Sequence, residues 1–314
     1  MKAQHVLVTG ATGFIGSHLV AELLESGCVV SVIVRAHSDT WRIKDVLQHE
    51  NIKIYSDTLE DMERAFVEQS IDCVVHLAAK YIKYHSSSAE AKQLMDANIV
   101  FPATLLDIMI KYNVQSIVSA GSFFEYDLEH KSILSESSPV KPYNLYARTK
   151  LMVHDLLGDY ARWYGLSSVY LRIFSAYGPK DNEKLFSYLI KNFIDKKEIQ
   201  LTPSEQQWNF TYVSDVVDAF IKAIDFSISK KSNHVVFNVG SNKPVSIKNI
   251  IHILEDKLAI SGLVRYDKPY QKNEIFYVSC DGKKAHDELG WIAKIGIEEG
   301  LQKTIDYHLN FKKL

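Results

Sequence analysis

The stretch TGATGFIG, residues 9–16, decides how the chain is read. It follows a β-branched run, HVLVTG (5–10), and opens FIGSHLVAELLESG. There Ile15, Leu19 and Leu23, with Val20 and Leu24, recur at helical spacing before Gly27 closes the segment. A glycine loop between a buried strand and a helix suits a phosphate. Gly10 allows the tight turn, Gly13 lets a pyrophosphate approach the backbone, and Gly16 lets helix and strand pack closely. The N–H groups of the first helical turn face the same point, where the helix dipole favours negative charge. The spacing G-x-x-G-x-x-G is one residue longer than the commonest dinucleotide fingerprint.

Outward from the loop, the first half alternates strands and helices. The apolar runs CVVSVIVR (28–35), NIKIYS (51–56), DCVVHLA (72–78), QSIVSAGS (115–122) and SSVYLRIF (167–174) lack polar alternation. That is the pattern of strands covered on both faces of a parallel sheet. Helices are expected at 59–69, at 88–112 with a kink or break at Pro102, and at 143–164. Beyond residue 175 loops lengthen, and helices at 183–195, 214–226, 246–260 and 282–290 alternate with short strands. The fold expected is α/β: a doubly wound parallel sheet in a dinucleotide-binding domain, with a smaller interleaved C-terminal α/β lobe. The first spans 1–175 with a return segment near 206–240, and the second mainly 176–314.

Composition narrows the partners. In 314 residues, 46% of them hydrophobic, 36 Lys and Arg nearly balance 38 Asp and Glu, for a formal charge of −2. That balance argues against nucleic acid or an anionic membrane. Cys28, Cys73 and Cys280 lie far apart, so neither a disulfide framework nor a metal site is indicated. The start of the chain lacks a signal-like apolar core and no run of eighteen apolar residues occurs, so a soluble, cytoplasmic protein is expected.

Further motifs follow in order: HLAA at 76–79, YARTK with Tyr146 and Lys150, LRIFSAYGP at 171–179, YVSDVVDAF at 212–220 and LGW at 289–291. With the glycine loop they make the chain resemble the extended short-chain dehydrogenase/reductase superfamily, in its nucleotide-sugar epimerase/dehydratase branch. The resemblance runs nearly the whole length and implies a Rossmann-type fold. It implies cofactor contacts from Gly10, Thr12, Gly13, Phe14, Ile15 and Gly16, from Leu77, Ala78 and Ala79 over the ribose and pyrophosphate, and from Phe174 beside the nicotinamide. Asp57 matches the acid that meets the adenine amino group, although its place before LEDMERAF equally suits a helix N-cap.

Tyr146 and Lys150 are four apart, which on a helix sets them on one face. A phenol titrates near ~10, and a neighbouring ammonium favours phenolate, which brings proton exchange with a sugar alcohol or ketone toward neutral pH. By the resemblance, Ser122 is the hydroxyl that holds the reacting oxygen. Nucleotide-sugar 4,6-dehydratases carry an acid pair directly after that position. Phe123 and Phe124 stand there instead, so dehydration is not the chemistry expected of this chain. Glu125, one residue further, faces the other way if the segment is extended.

NAD-preferring chains place an acid about twenty residues beyond the glycines, where it accepts from the adenosine 2′-hydroxyl. Here Arg35 ends the second strand, with His37, Ser38 and Arg42 nearby, and a guanidinium suits a 2′-phosphate. NADP(H) is therefore the expected cofactor, with NAD(H) open through Asp39. A reductant of that kind points to net reduction, and Trp208 and Phe210 with the FFEYD loop look similar to reductases of CDP- or dTDP-linked 4-keto-6-deoxyhexoses, so the resemblance implies an oxidoreductase acting on the C4 ketone of such a sugar. The alternative is a nucleotide-sugar 4-epimerase with retained NAD, and a dinucleotide sensor without catalysis is a third. Substrate contacts are expected from Phe123, Phe124, Ser175, Leu185, Phe186 and Trp208. Lys268 and Lys272 are expected to replace the diphosphate-gripping arginine that the family carries near Trp208, Asn209 and Phe210. Trp208 suits base stacking and core packing equally. A homodimer through the helices at 98–112 and 143–164 is expected from their apolar residues Leu105, Ile108, Met109, Leu151, Leu156 and Leu157.

Overall fold

The structure, a computed structural model, describes residues 2–129, 132–230, 233–241 and 243–311. Seven strands form the main sheet: β1 (His5–Thr9), β2 (Val29–Ile33), β3 (Ile52–Tyr55), β4 (Cys73–His76), β5 (Ser116–Ser122), β6 (Ser167–Ile173) and β7 (His234–Val239). All pairings are parallel, in the order β7-β6-β5-β4-β1-β2-β3. Successive residues of a strand face opposite sides. Val6 and Val8 of β1 therefore join one core with Leu19 and Leu23 of helix α1 (Phe14–Glu25), and Leu7 joins the other with Met62 and Phe66 of α2 (Leu59–Glu68). Each such side chain, fully buried, contributes ~1.5–3 kcal/mol, and the double burial explains the missing polar alternation.

Helix α3 runs Ser88–Lys111. Proline does not break it; the helix widens to a π turn over Asp96–Val100, with the Phe101 N–H reaching the Asp96 carbonyl, directly ahead of Pro102. The wider turn makes room for the proline ring, which otherwise presses on the preceding turn. By length and composition α3 could cross a membrane, but its Leu105, Leu106, Ile108 and Met109 are core residues. Together with Val153 and Leu157 of α4 (Leu145–Tyr164) they cover the second face of the sheet. Of the six residues expected at a dimer interface, Leu105, Ile108, Met109, Leu151 and Leu157 are thus buried within one chain, and Leu156 is half-buried.

Past β6 the chain enters the second lobe with α5 (Leu185–Ile194) and returns through α6 (Val213–Lys230) and β7 to the main sheet. It leaves again for α7 (Ile247–Leu258), comes back to pack α8 (Lys283–Leu289) beside β7, and ends in α9 (Ile297–Phe311). In the lobe, Val245–Ser246, Gln207–Trp208 and Tyr277–Cys280 form a small sheet with Ile133–Leu134 from the first half. The lobes are interleaved by these crossings. Neither β7 nor α9 was among the expected elements. The α9 signal was legible: Leu301 and Ile305, four apart, are both buried.

The strand order reverses between β1 and β4, the position at which open α/β sheets bind ligands. Gly10 sits there with φ +74°, and a methyl on it would lie 2.5 Å from the Ala78 nitrogen. A methyl on Gly16 would lie 2.2 Å from the Gly10 carbonyl oxygen. Gly16→Ala is therefore expected to lower stability by ~1–3 kcal/mol through overpacking, read as a reduced urea midpoint. An unchanged midpoint would show that the helix can shift at no cost.

Candidate active site

A cavity of about 640 Å³ runs from the glycine loop into the second lobe. At one end Gly10, Gly13, Phe14, Ile15 and Gly16 form the wall, with Leu77 and Ala79 opposite. Helix α1 starts at Gly13 with no side-chain cap and no acid in its first turn. Its leading N–H groups have no intrahelical partners and no carboxylate competes there, a donor set that fits a dinucleotide pyrophosphate. Thr12 and Ala78 shape the loop instead of lining it. The Thr12 carbonyl accepts from Arg42 at 3.5 Å, and the Ala78 N–H donates to Thr9 Oγ1 at 3.3 Å.

Ser122, Tyr146 and Lys150 meet on the same cavity wall, the first at the end of β5 and the other two in the first turns of α4. Asn144 caps that helix, its Oδ1 accepting from the Ala147 N–H at 2.8 Å. Lys150 is buried and donates to the Ala120 carbonyl at 3.0 Å. Burial lowers its pKa to about 8, and the nearby Glu125 charge opposes the fall. The Tyr146 phenol is pushed above its ordinary range by burial, then by Glu125 and Tyr81, whose ring meets it edge-on at 4.8 Å.

Glu125 does leave the cavity, by a turn rather than an extended strand. Ser122 Oγ accepts from the Phe124 N–H at 3.2 Å and Glu125 Oε1 accepts from the Ser122 N–H at 2.7 Å, a capping box around one helical turn, Phe123–Glu125. The carboxylate is wholly buried. It accepts from the Tyr170 hydroxyl at 2.8 Å and pairs with Arg172 Nε at 2.8 Å, and the Tyr126 ring lies 4.6 Å from the guanidinium. Two charged residues in otherwise apolar segments were the available signal for this pair.

The second half of the cavity is aromatic. Phe123 and Phe124 line it with Tyr143, Leu185, Phe186 and Trp208. Phe124 stacks on Tyr143 at 5.6 Å, and Trp208 meets Phe123 edge-on at 5.7 Å while its N–H donates to the Ile275 carbonyl at 2.8 Å. Trp208 is both wall and packing. Ser175 also lines the cavity, at φ +31°, and its buried hydroxyl has no partner among the described residues.

Several expected contacts are not brought to the cavity. Phe174 lies on the opposite side of its segment from Ile173 and Ser175 and stacks beneath Phe123 at 5.6 Å, fully buried. Asp57 is exposed and does not cap α2, because Thr58 does so by accepting from the Asp61 N–H at 3.3 Å. Lys268 and Lys272 are exposed and outside it, whereas Gln271, Asn273 and Glu274 of the same stretch line it. Besides Lys150, the cations on the wall among the described residues are Lys83 and Lys184, which the sequence did not single out. Asn98, in the π turn, was also missed. It accepts from the Lys80 N–H at 2.7 Å and donates to Thr149 Oγ1 at 2.9 Å, tying the segment after Ala79 to the helix of Tyr146.

Residues 6–240 match the model of the NAD dependent epimerase/dehydratase family. The chain belongs to that family. Among its relatives, the UDP-glucuronate 4-epimerase of Thermodesulfobacterium geofontis is 29% identical over 316 residues, 96% of this chain and 95% of that one. Of solved structures, the UDP-glucose 4-epimerase of Thermotoga maritima, with UDP-glucose, matches at a TM-score of 0.87 and 27% identity over 98% and 99% of the two chains. The UDP-glucuronic acid 4-epimerase of Bacillus cereus, with UDP-glucuronic acid and NAD, matches at 0.87 and 26% over the same shares.

These similarities correct two expectations. The relative and the two structures just described are 4-epimerases, which overturns net reduction by a 4-ketoreductase as the expected chemistry. The cofactor bound in the Bacillus cereus structure is NAD, which overturns the preference for NADP(H). The geometry gives the reason. Arg35 is exposed and outside the cavity, and the Arg42 guanidinium is taken up by backbone carbonyls of the opposite lobe. Removing one member of a buried ion pair strands the other. Glu125→Ala is therefore expected to lower stability by ~3–5 kcal/mol in urea denaturation, with a loss below ~1 kcal/mol contradicting the buried pair.

Proposed function

We propose that this chain is an NAD-dependent 4-epimerase of a nucleoside-diphosphate hexose. The observation that carries the reading is the convergence of Ser122, Tyr146 and Lys150 on one cavity wall, reached by the uncapped start of α1. Bound NAD would take a hydride from the sugar C4 and return it to the opposite face of the resulting 4-ketone, so that no cofactor is consumed. Gly10, Gly13 and Gly16 would hold its pyrophosphate and Lys150 its nicotinamide ribose.

The protein's part is proton transfer and orientation. Tyr146 removes the proton of the C4 hydroxyl as the C–H bond breaks and gives it back as the new one forms. The Ser122 hydroxyl donates to the C4 oxygen. Burial, Glu125 and Tyr81 raise the phenol, and the Lys150 ammonium would favour the phenolate against them when substrate and cofactor bring the two together. Dehydration lacks its acid pair, because Phe123 and Phe124 follow Ser122 and Glu125 is bound to Arg172. Inversion requires the keto sugar to present both faces. A wall of Phe123, Phe124, Tyr143 and Trp208 provides contact area that does not fix one orientation by hydrogen bonds. Lys184, Lys83 and the unpartnered Ser175 hydroxyl are the groups suited to the diphosphate and sugar oxygens.

The test is incubation with UDP-glucose or UDP-glucuronic acid and no added cofactor, with the C4 epimers resolved by NMR. The expected result is interconversion, with NAD released on denaturing the protein; no epimer and no bound NAD would reject the reading. Tyr146→Phe should lower kcat ~10²–10⁴-fold and keep its NAD. The Lys150 ammonium is present below about pH 8 and lost above it, so kcat should carry a limb that falls above about pH 8 and is absent from Lys150→Ala.

A further inference from the structure

We propose that Arg42 is a positioning residue that latches the two lobes together over the dinucleotide and so keeps NAD bound between turnovers, an inference that rests on the epimerase reading above. Arg42 lies in a single turn, Trp41–Ile43, beyond β2. Its guanidinium reaches across to the second lobe, where Nε donates to the Lys180 carbonyl at 2.8 Å and Nη2 to Asn182 Oδ1 at 2.7 Å and the Asp181 carbonyl at 3.4 Å. Nη1 donates to the Thr12 carbonyl in the glycine loop at 3.5 Å. The tie is returned by Lys180 Nζ, which donates to the Arg42 carbonyl at 2.9 Å. On α1, His18 Nε2 meets the Pro179 carbonyl at 2.8 Å. Residues 179–182 are therefore fastened to two separate pieces of the first domain, the helix that the glycine loop opens and the loop after β2, and Arg42 in turn ties the latter to the glycine loop.

The fastened segment is a cavity wall. Asp181 and Asn182 line both the main cavity and a second one of about 480 Å³, which Trp41, Arg42 and Lys180 line from behind. The segment does not hold its shape by backbone preference, because Lys180 at φ +63° and Glu183 at φ +55° are left-handed without being glycine. Cross-lobe bonds hold it. Trp41 stiffens the latch from below, with the Arg42 guanidinium 4.5 Å from its ring centroid. Asp181 is buried and its Oδ2 has no partner among the described residues, an acceptor that a ligand hydroxyl on this wall can satisfy. A dinucleotide lying along the glycine loop has this partition beside it, and parting the lobes means breaking the Arg42 bonds. An epimerase that returns its hydride to the same sugar needs the cofactor kept in place.

The experiment uses the full chain, purified and desalted, with bound NAD measured after denaturation and its dissociation rate measured by displacement. Wild type is expected to retain NAD. Arg42→Ala is expected to lose it, with dissociation faster by about tenfold or more from the loss of a charge-assisted bond. Asn182→Ala should show a smaller increase. A folded Arg42→Ala protein, judged by circular dichroism, that holds NAD at the wild-type rate overturns the latch. If Arg42→Ala does not fold, an unchanged rate in Asn182→Ala does so. If wild type emerges without NAD, the retained-cofactor reading fails. The latch is then judged on protein loaded with NAD, where equal rates for wild type and Arg42→Ala overturn it.

Discussion

Two backbones cross at the mouth of the sheet with no room for a side chain between them. The Gly10 α-carbon passes so near Leu77 and Ala78 that a methyl group would overlap the backbone, and Gly16 sits as tightly on Gly10. This crossing lets α1 begin directly above the reversal of strand order, where its leading N–H groups face the cavity. It also brings the segment after β4 to the same place, and that segment continues to Tyr81 and, through Asn98, to the helix of Tyr146. The proposed cofactor cradle and the proposed proton-transfer residues are thus set in one frame by a packing constraint.

Electrostatics supplies the second layer. A buried lysine and a half-buried phenol are both driven toward their neutral forms, Lys150 downward and Tyr146 upward in pKa. Glu125 bears on both. Its charge supports the ammonium and opposes the phenolate, while Arg172 pairs with it at 2.8 Å in an enclosed pair. The same carboxylate holds the Ser122 N–H, so the turn that positions the serine and the field around the tyrosine share one residue.

Most of the sheet could be read in the chain, as could the trio. Six of the seven strands lie within the apolar runs, and Ser122, Tyr146 and Lys150 share a wall. The errors have physical reasons. Phe174 was placed beside the nicotinamide, but side chains alternate along the segment, and the ones that face the cavity are Ile173 and Ser175. Lys268 and Lys272 were chosen for charge in a loop whose neighbours Gln271 and Asn273 turn inward. Arg35 was taken as the cofactor's partner from its place at a strand end. That place does not reveal that it is exposed, or that Arg42 is committed to the other lobe.

By itself, the sequence determined what depends on neighbours within a few turns of chain. These are the strand, glycine loop and helix of residues 5–25, the pairing of Tyr146 with Lys150 on one helical face, and the absence of an acid pair after Ser122. Those features follow from periodicity and local sterics. Tertiary structure decided the rest, because the partners are distant in the chain. Glu125 meets Arg172 across 47 residues, and Arg42 meets Lys180 across 138. Whether an arginine serves a phosphate or a carbonyl depends on which backbone reaches it first, and only the folded chain sets that distance.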